Sequence, residues 1–241
     1  MARFISKTTF TVGLLIMLMS VPAIGASINK SVKIAAGSES SGASSVNGSI
    51  SIGENAVVSG DVSTVNGTIR VDAGARILTA STVNGAVKVA DNVRSESLST
   101  VNGSVTVGKS VTVDGDIEAV NGRISVAAGS TVASDVSNVN GQIELSGAQI
   151  GGDVATVSGD IYVLDGTVVK GDLIVEKPGG WGWGKSNSRK PRIVIGPRSS
   201  VEGIIELQRE VELFISKTAS VGGVKGVMSM DDAVRFSGKR P

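Results

Sequence analysis

Aspartates recur at one position in successive stretches of this chain, and their carboxylates are its best candidates for chemistry. The stretches DGDI, ASDV, GGDV and KGDL contain the Asp row, which comprises Asp116, Asp135, Asp153 and Asp172. If these stretches stack as neighbouring strands, the carboxylates lie about 5 Å apart and repel one another unless a cation bridges them. The row therefore predicts either a line of Ca²⁺ sites, since calcium prefers carboxylate oxygens, or a solvated corner in which Gly-Asp is favourable turn chemistry. The nonapeptide pattern of calcium-binding β-rolls is absent, which favours the corner and no bound metal.

Enzymatic chemistry has few candidate residues. The chain contains no histidine and no cysteine, so the commonest general base and thiol nucleophiles are excluded. Paired carboxylates can cleave a polysaccharide, but no set of unique residues that would converge on a substrate interrupts the pattern. We therefore predict a non-enzymatic protein without a cofactor. The alternative is a polysaccharide-binding or polysaccharide-active protein that uses the Asp row or the loop described next.

Both tryptophans lie in one glycine-rich, basic stretch, KPGGWGWGKSNSRKP, which spans residues 177–191 and is predicted to be a loop. Trp181 and Trp183 could stack on a sugar or contact a partner, because cations flank them. They could also fold back as a hydrophobic clasp. Exposed large aromatics are uncommon, which favours the clasp.

The composition favours closely stacked strands. Among 241 residues there are 32 glycines but only 2 Trp, 1 Tyr and 4 Phe, so Val, Ile and Ala must fill the core. The net charge of +1 argues against bulk attraction to nucleic acid or to anionic membrane.

The N-terminus has the layout of a secretory signal peptide. Arg3 and Lys7 precede an apolar run, and small residues follow Pro22, which predicts a signal peptide over residues 1–26 with cleavage after Gly25 or Ala26. An uncleaved anchor is the alternative, but the run is short for a span, which needs about 20 apolar residues. We predict an exported protein, periplasmic or at the cell surface, with no membrane span in the mature chain.

An internal repeat of 18 or 19 residues runs through most of the chain. Its marker is an asparagine, present at Asn29, Asn47, Asn66, Asn84, Asn102, Asn121 and Asn140, with Ser158 in the next unit. Three and five residues after each marker lie apolar residues separated by a polar one, such as Ile50 and Ile52, which is the alternation of a half-buried strand. Two further apolar clusters per unit predict three strands per coil. Because no unit can bury its apolar residues alone, the pattern predicts an all-β fold, a β-solenoid of triangular cross-section with about ten coils, over residues 27–226.

The repeated sequence VNG is interpreted as a corner between two strands. Asn-Gly is favoured where the backbone takes positive φ, and stacked asparagines can hydrogen-bond along the rod as a ladder. The valine before each asparagine is expected to point inward and close the core. Residues 227–241 fall out of phase and are predicted to be a C-terminal cap or tail.

The repeats VNGSISIGENAVVSGDV and VNGSVTVGKSVTVDGDI resemble the bactofilins, a family of polymer-forming cytoskeletal β-helix proteins of bacteria. The resemblance covers roughly residues 28–176 and implies a right-handed helix and end-to-end assembly without nucleotide. The predicted export departs from the family, and similar exported repeats are often labelled adhesins. We therefore expect a structural, scaffolding or adhesive element of the bacterial cell envelope. Its candidate partners are a second copy of the chain, bound through the coil ends, and a polysaccharide or protein of the envelope. Polar residues in the first coil favour a monomer or small oligomer over a filament.

Overall fold

The computed structural model describes residues 29–178 and 189–241 and shows an all-β solenoid. Each coil contributes one short strand to each of three parallel sheets, so the rod has three sides. The predicted signal peptide lies outside the described residues. Within the described ranges, no helix is both long enough and apolar enough to cross a membrane.

Sheet 1 has eleven strands, in the order in which the coils stack. They are β1 (Val32–Ile34), β4 (Ile50–Ile52), β7 (Ile69–Val71), β10 (Val87–Val89), β13 (Val105–Val107), β16 (Ile124–Val126), β19 (Gln142–Ser146), β22 (Asp160–Leu164), β25 (Arg192–Ile195), β28 (Glu212–Ser216) and β31 (Val234–Phe236).

Sheet 2 has ten strands of two residues each. They are β2 (Glu39–Ser40), β5 (Val57–Val58), β8 (Arg76–Ile77), β11 (Arg94–Ser95), β14 (Thr112–Val113), β17 (Thr131–Val132), β20 (Gln149–Ile150), β23 (Val168–Val169), β26 (Ser200–Val201) and β29 (Ser220–Val221).

Sheet 3 also has ten strands. They are β3 (Ala43–Ser45), β6 (Val62–Asn66), β9 (Thr79–Asn84), β12 (Ser97–Asn102), β15 (Ile117–Asn121), β18 (Val136–Asn140), β21 (Val154–Thr156), β24 (Leu173–Val175), β27 (Ile205–Leu207) and β30 (Val224–Gly226).

The core is a set of apolar columns that run the length of the rod. Ile124, for example, pairs with Val105 below it and with Ile143 above it, and all three side chains are fully buried. The insertion at residues 177–191 leaves this register intact, because Ile161 pairs directly with Ile193 across it. No buried side-chain nitrogen or oxygen in the described ranges lacks a hydrogen-bond partner.

The prediction that the valine before each asparagine points inward is wrong. Val46 and Val65 are 40% and 36% exposed, and their counterparts Val83, Val101, Val120, Val139 and Val157 are half-buried on the outer surface. The alternation of sheet 3 continues through the motif, so the residue before each valine faces the core instead. Three repeats read STVNG, at residues 63–67, 81–85 and 99–103. In them the inward residue is Thr64, Thr82 or Thr100, and each is 1% exposed.

The residues after β30 fold back onto the rod. Met230–Asp232 form a 3₁₀ helix, and the Ser229 backbone N–H donates a 2.8 Å hydrogen bond to Asp232. Strand β31 then pairs with β28 and adds the eleventh strand to sheet 1. The tail continues down the outside of the rod, where Arg240 forms a 3.1 Å ion pair with Glu144.

Candidate functional site

The marker asparagines form a continuous ladder at the corner between sheets 3 and 1. Each side-chain amide nitrogen donates to the side-chain oxygen of the asparagine one coil earlier, at 2.7–3.1 Å. The six bonds join Asn29, Asn47, Asn66, Asn84, Asn102, Asn121 and Asn140. The ladder ends at Asn140, because the next coil carries Ser158 at this position. All seven asparagines therefore connect one coil to the next.

The buried threonines of the STVNG motif stabilise the same corner from inside. The hydroxyl of Thr64 donates a 2.9 Å hydrogen bond to the carbonyl of Gly48 in the previous coil. Thr82 and Thr100 make the equivalent bonds at 3.1 and 3.0 Å. A threonine can face this core because its hydroxyl has an acceptor. Polar residues at core positions were not anticipated from the sequence.

The glycines of the VNG corners are required because a side chain would not fit there. The predicted positive φ does not explain most of them. The corner glycines 48, 67, 85, 103 and 122 do not adopt positive φ; Gly141, at +119°, is the exception. A Cβ on Gly85, Gly103 or Gly122 would overlap the carbonyl oxygen of the corner glycine one coil below. Positive φ instead occurs at the corner between sheets 1 and 2, for example at Asn55 and Asn92.

The Asp row lies at the corner between sheets 2 and 3, where its carboxylates accept backbone hydrogen bonds. Asp116, Asp135 and Asp153 each accept from the backbone N–H of the aspartate one coil later, at 2.7–3.0 Å. Asp172 accepts from the N–H of Ile204 at 2.8 Å, directly across the insertion. Within residues 29–178 and 189–241, no group of three or more acidic side chains is placed to hold a metal ion.

In three coils a glycine immediately precedes the residue whose backbone N–H donates to the aspartate one coil below, and this glycine makes room for the contact. A Cβ on Gly152, Gly171 or Gly203 would overlap the carboxylate oxygen of the aspartate one coil below. The Gly-Asp pair therefore stabilises the corner in two ways: the glycine leaves the space, and the aspartate accepts the backbone N–H that enters it. The calcium alternative gains no support from this geometry.

Two acidic residues at or beside this corner, Glu118 and Asp153, resist ionisation. Burial raises the pKa of Glu118, and the negative charges of Asp116 and Asp135 raise it further. Burial, together with the charges of Asp135 and Asp172, also raises the pKa of Asp153, although the backbone hydrogen bond from Asp172 opposes the shift. Charge along this corner therefore costs stability at neutral pH.

We expect Glu118→Gln to stabilise the protein at pH 7 and to have little effect near pH 3. The raised pKa means that the folded state holds the Glu118 proton more tightly than the unfolded chain does. Stability therefore falls as pH rises from the ordinary value of 4.5 through the folded pKa. The measurement is the free energy of unfolding in urea at both pH values, with Glu54→Gln on the exposed surface as the control. A neutral-pH loss of stability in Glu118→Gln would contradict this account.

A patch of aromatic and aliphatic residues covers the outer face of sheet 1 near its C-terminal end. Seven coils carry polar or charged residues in the central outward column of this sheet, from Lys33 to Glu144. The next residues in that column are Tyr162, Val194 and Phe214. Val194 is fully buried although it faces outward, because Leu164, Phe214 and Phe236 pack around it. The Arg240 guanidinium lies 5.9 Å from the centre of the Tyr162 ring, so the C-terminal tail partly covers the patch.

Two other predicted site residues, Trp181 and Trp183, lie outside the described residues, so neither the clasp nor the partner contact is tested. Both ends of the insertion are described, and the returning end, residues 189–191, borders a groove on the rod. Its lining residues are Gly122, Arg123, Gly141, Gln142, Ser158, Asp160, Arg189, Lys190 and Pro191. Sequence reasoning missed this groove because three coils and the insertion contribute to it. One signal was present: Arg123 is the first large cation at a position where earlier coils carry Ser49, Thr68, Ala86 and Ser104.

Comparison with protein-family models, with curated proteins and with solved structures finds no match. The resemblance to the bactofilins therefore rests on the repeat motif and remains a prediction.

Proposed function

We propose that this protein is a non-enzymatic, exported rod that serves as a structural, scaffolding or adhesive element of a bacterial cell envelope. The observation that carries the proposal is that the repeated polar residues form hydrogen bonds with other residues of the rod. The asparagines bind one another, the threonines bind corner carbonyls, and the Asp row binds backbone N–H groups, all from one coil to the next. These residues recur because they hold the coils together.

The length and stiffness of the rod suit this role. About ten coils at the strand spacing of about 4.8 Å give an axial length of about 48 Å. In a solenoid each repeat contacts only its neighbours, so a continuous core and three continuous sheets distribute stiffness evenly along the axis. Export rests on the sequence of residues 1–26.

The two ends of the described rod support discrete particles over filaments. At the C-terminal end, Met228, Met230 and Ala233 pack against the core, and the Val211 backbone N–H lies 3.4 Å from the Met228 sulfur. At the other end, Ser40 and Ala43 occupy positions that carry Val58 and Val62 in the next coil. Small and polar residues give this end little apolar surface to bury against a second copy.

Electron microscopy of residues 27–241, combined with light scattering at several concentrations, tests this proposal. We expect discrete rods with a mass that does not rise with concentration. Filaments would show that the coil ends associate, which would overturn the capped rod and favour assembly of the bactofilin kind.

A further inference from the structure

The groove beside the insertion is a shaped recess of about 420 Å³. Its lining combines the corner glycines Gly122 and Gly141, polar side chains at or near sheet 1, and the returning end of the insertion, residues 189–191. Its volume lies in the range of sites for small ligands, roughly 300–1,000 Å³.

Hydrogen bonds and ion pairs fix the wall that belongs to the insertion. The Arg189 guanidinium donates to one oxygen of Asp160, and the Arg192 backbone N–H donates to the other at 2.8 Å. Lys190 forms a 2.7 Å ion pair with Glu210. The end of the insertion is therefore attached to the rod at two points.

Positive charge exceeds negative charge in the groove. Its lining contains three cations, Arg123, Arg189 and Lys190, and one carboxylate, Asp160, both of whose oxygens already accept hydrogen bonds. Arg123 is exposed and, within the described ranges, forms no ion pair and no side-chain hydrogen bond. A free guanidinium presents a planar fork of donors that matches a carboxylate.

The remaining lining residues favour a ligand rich in hydroxyl groups. Gln142 and Ser158 supply polar groups, and the Gln142 amide nitrogen donates to Glu144 at 2.9 Å, which leaves its oxygen as an acceptor. Pro191 is the only apolar side chain in the lining that the structure describes, apart from the glycines, so the groove offers little surface to a hydrophobic ligand.

We propose that this groove binds a short stretch of an acidic polysaccharide, with a uronate carboxylate on Arg123 and sugar hydroxyls on Gln142 and Ser158. This site uses neither the Asp row nor the tryptophans. This inference adds a ligand to the structural role proposed above. If the groove binds no sugar, the structural role still stands, because sugar binding and the oligomeric state of the rod are measured separately.

The experiment is calorimetric titration of residues 27–241 with trigalacturonate, and with its fully methyl-esterified form as the uncharged counterpart. We expect saturable binding of the acid alone, weakened roughly tenfold or more by Arg123→Gln, since a charged hydrogen bond is removed. The matched control is Arg70→Gln, which removes an exposed arginine from the same outer face of sheet 1. The melting temperature of Arg123→Gln should equal that of the parent, because Arg123 has no partner to lose.

Four outcomes would overturn the proposal. These are no saturable binding of the acid, equal binding of the methyl ester, equal weakening by Arg70→Gln, and loss of binding in Trp181→Ala/Trp183→Ala with Arg123→Gln unaffected. The last would place the sugar site on the insertion. Light scattering on the same samples reports the state of the rod independently.

Discussion

Replacing Gly103 with alanine is expected to destabilise the protein by roughly 3 kcal/mol or more, because overpacking that the backbone must absorb is among the costliest changes. The new Cβ would overlap the carbonyl oxygen of Gly85. Neither corner can move aside easily, because backbone hydrogen bonds hold both. The Gly103 N–H donates to the backbone carbonyl of Asn121 at 3.1 Å, and the Gly85 N–H donates to that of Asn102 at 3.0 Å. Denaturant unfolding measures the loss.

The control for this change is Ser104→Ala, at the next position of the same corner. It leaves the backbone contact untouched and should alter the free energy of unfolding by no more than about 0.5 kcal/mol. If Gly103→Ala unfolds like the parent, the corners do not approach as closely as described, and the explanation of the repeated glycine is wrong.

The second large effect is expected from Ile124→Ala, which should cost roughly 2–5 kcal/mol. Ile124 is fully buried, and its column continues through Val105 below and Ile143 above. The truncation leaves a cavity between two coils that are held in register by three sheets, so the site cannot collapse easily. Urea unfolding followed by circular dichroism measures the cost.

Ser125→Ala is the matched control, because Ser125 lies on the outward side of the same strand. We expect it to have almost no effect. Equal losses from the two substitutions would mean that the column of Val105, Ile124 and Ile143 is not the core.

Much of the fold could be predicted from periodicity, because apolar alternation places strands such as Ile50–Ile52 and Val105–Val107 without knowledge of contacts. The three-sided solenoid of about ten coils is confirmed. The orientation of Val65 could not be predicted in this way. A rule that places apolar residues inside puts valine in the core and threonine outside, whereas Thr64 is buried because the Gly48 carbonyl accepts its hydroxyl.

The asparagine ladder at one corner was predicted, but the backbone contacts of the Asp row at another corner were hidden from the sequence. Nothing in the spacing shows that the carboxylate of Asp135 accepts the backbone N–H of Asp153, or that Gly152 leaves the space for it. The groove was harder still, since Arg123 and Arg189 come together only when the insertion returns to the rod. Non-repeating contacts of this kind leave no periodic signal.

The measurement that tests the proposed envelope role most directly is cell fractionation with N-terminal sequencing, after expression of residues 1–241 in a Gram-negative bacterium. We expect a protein in the envelope or periplasmic fraction that begins at Ala26 or Ser27. A chain that retains residues 1–26 and is recovered from the cytosol would contradict export, and with it the role in the cell envelope.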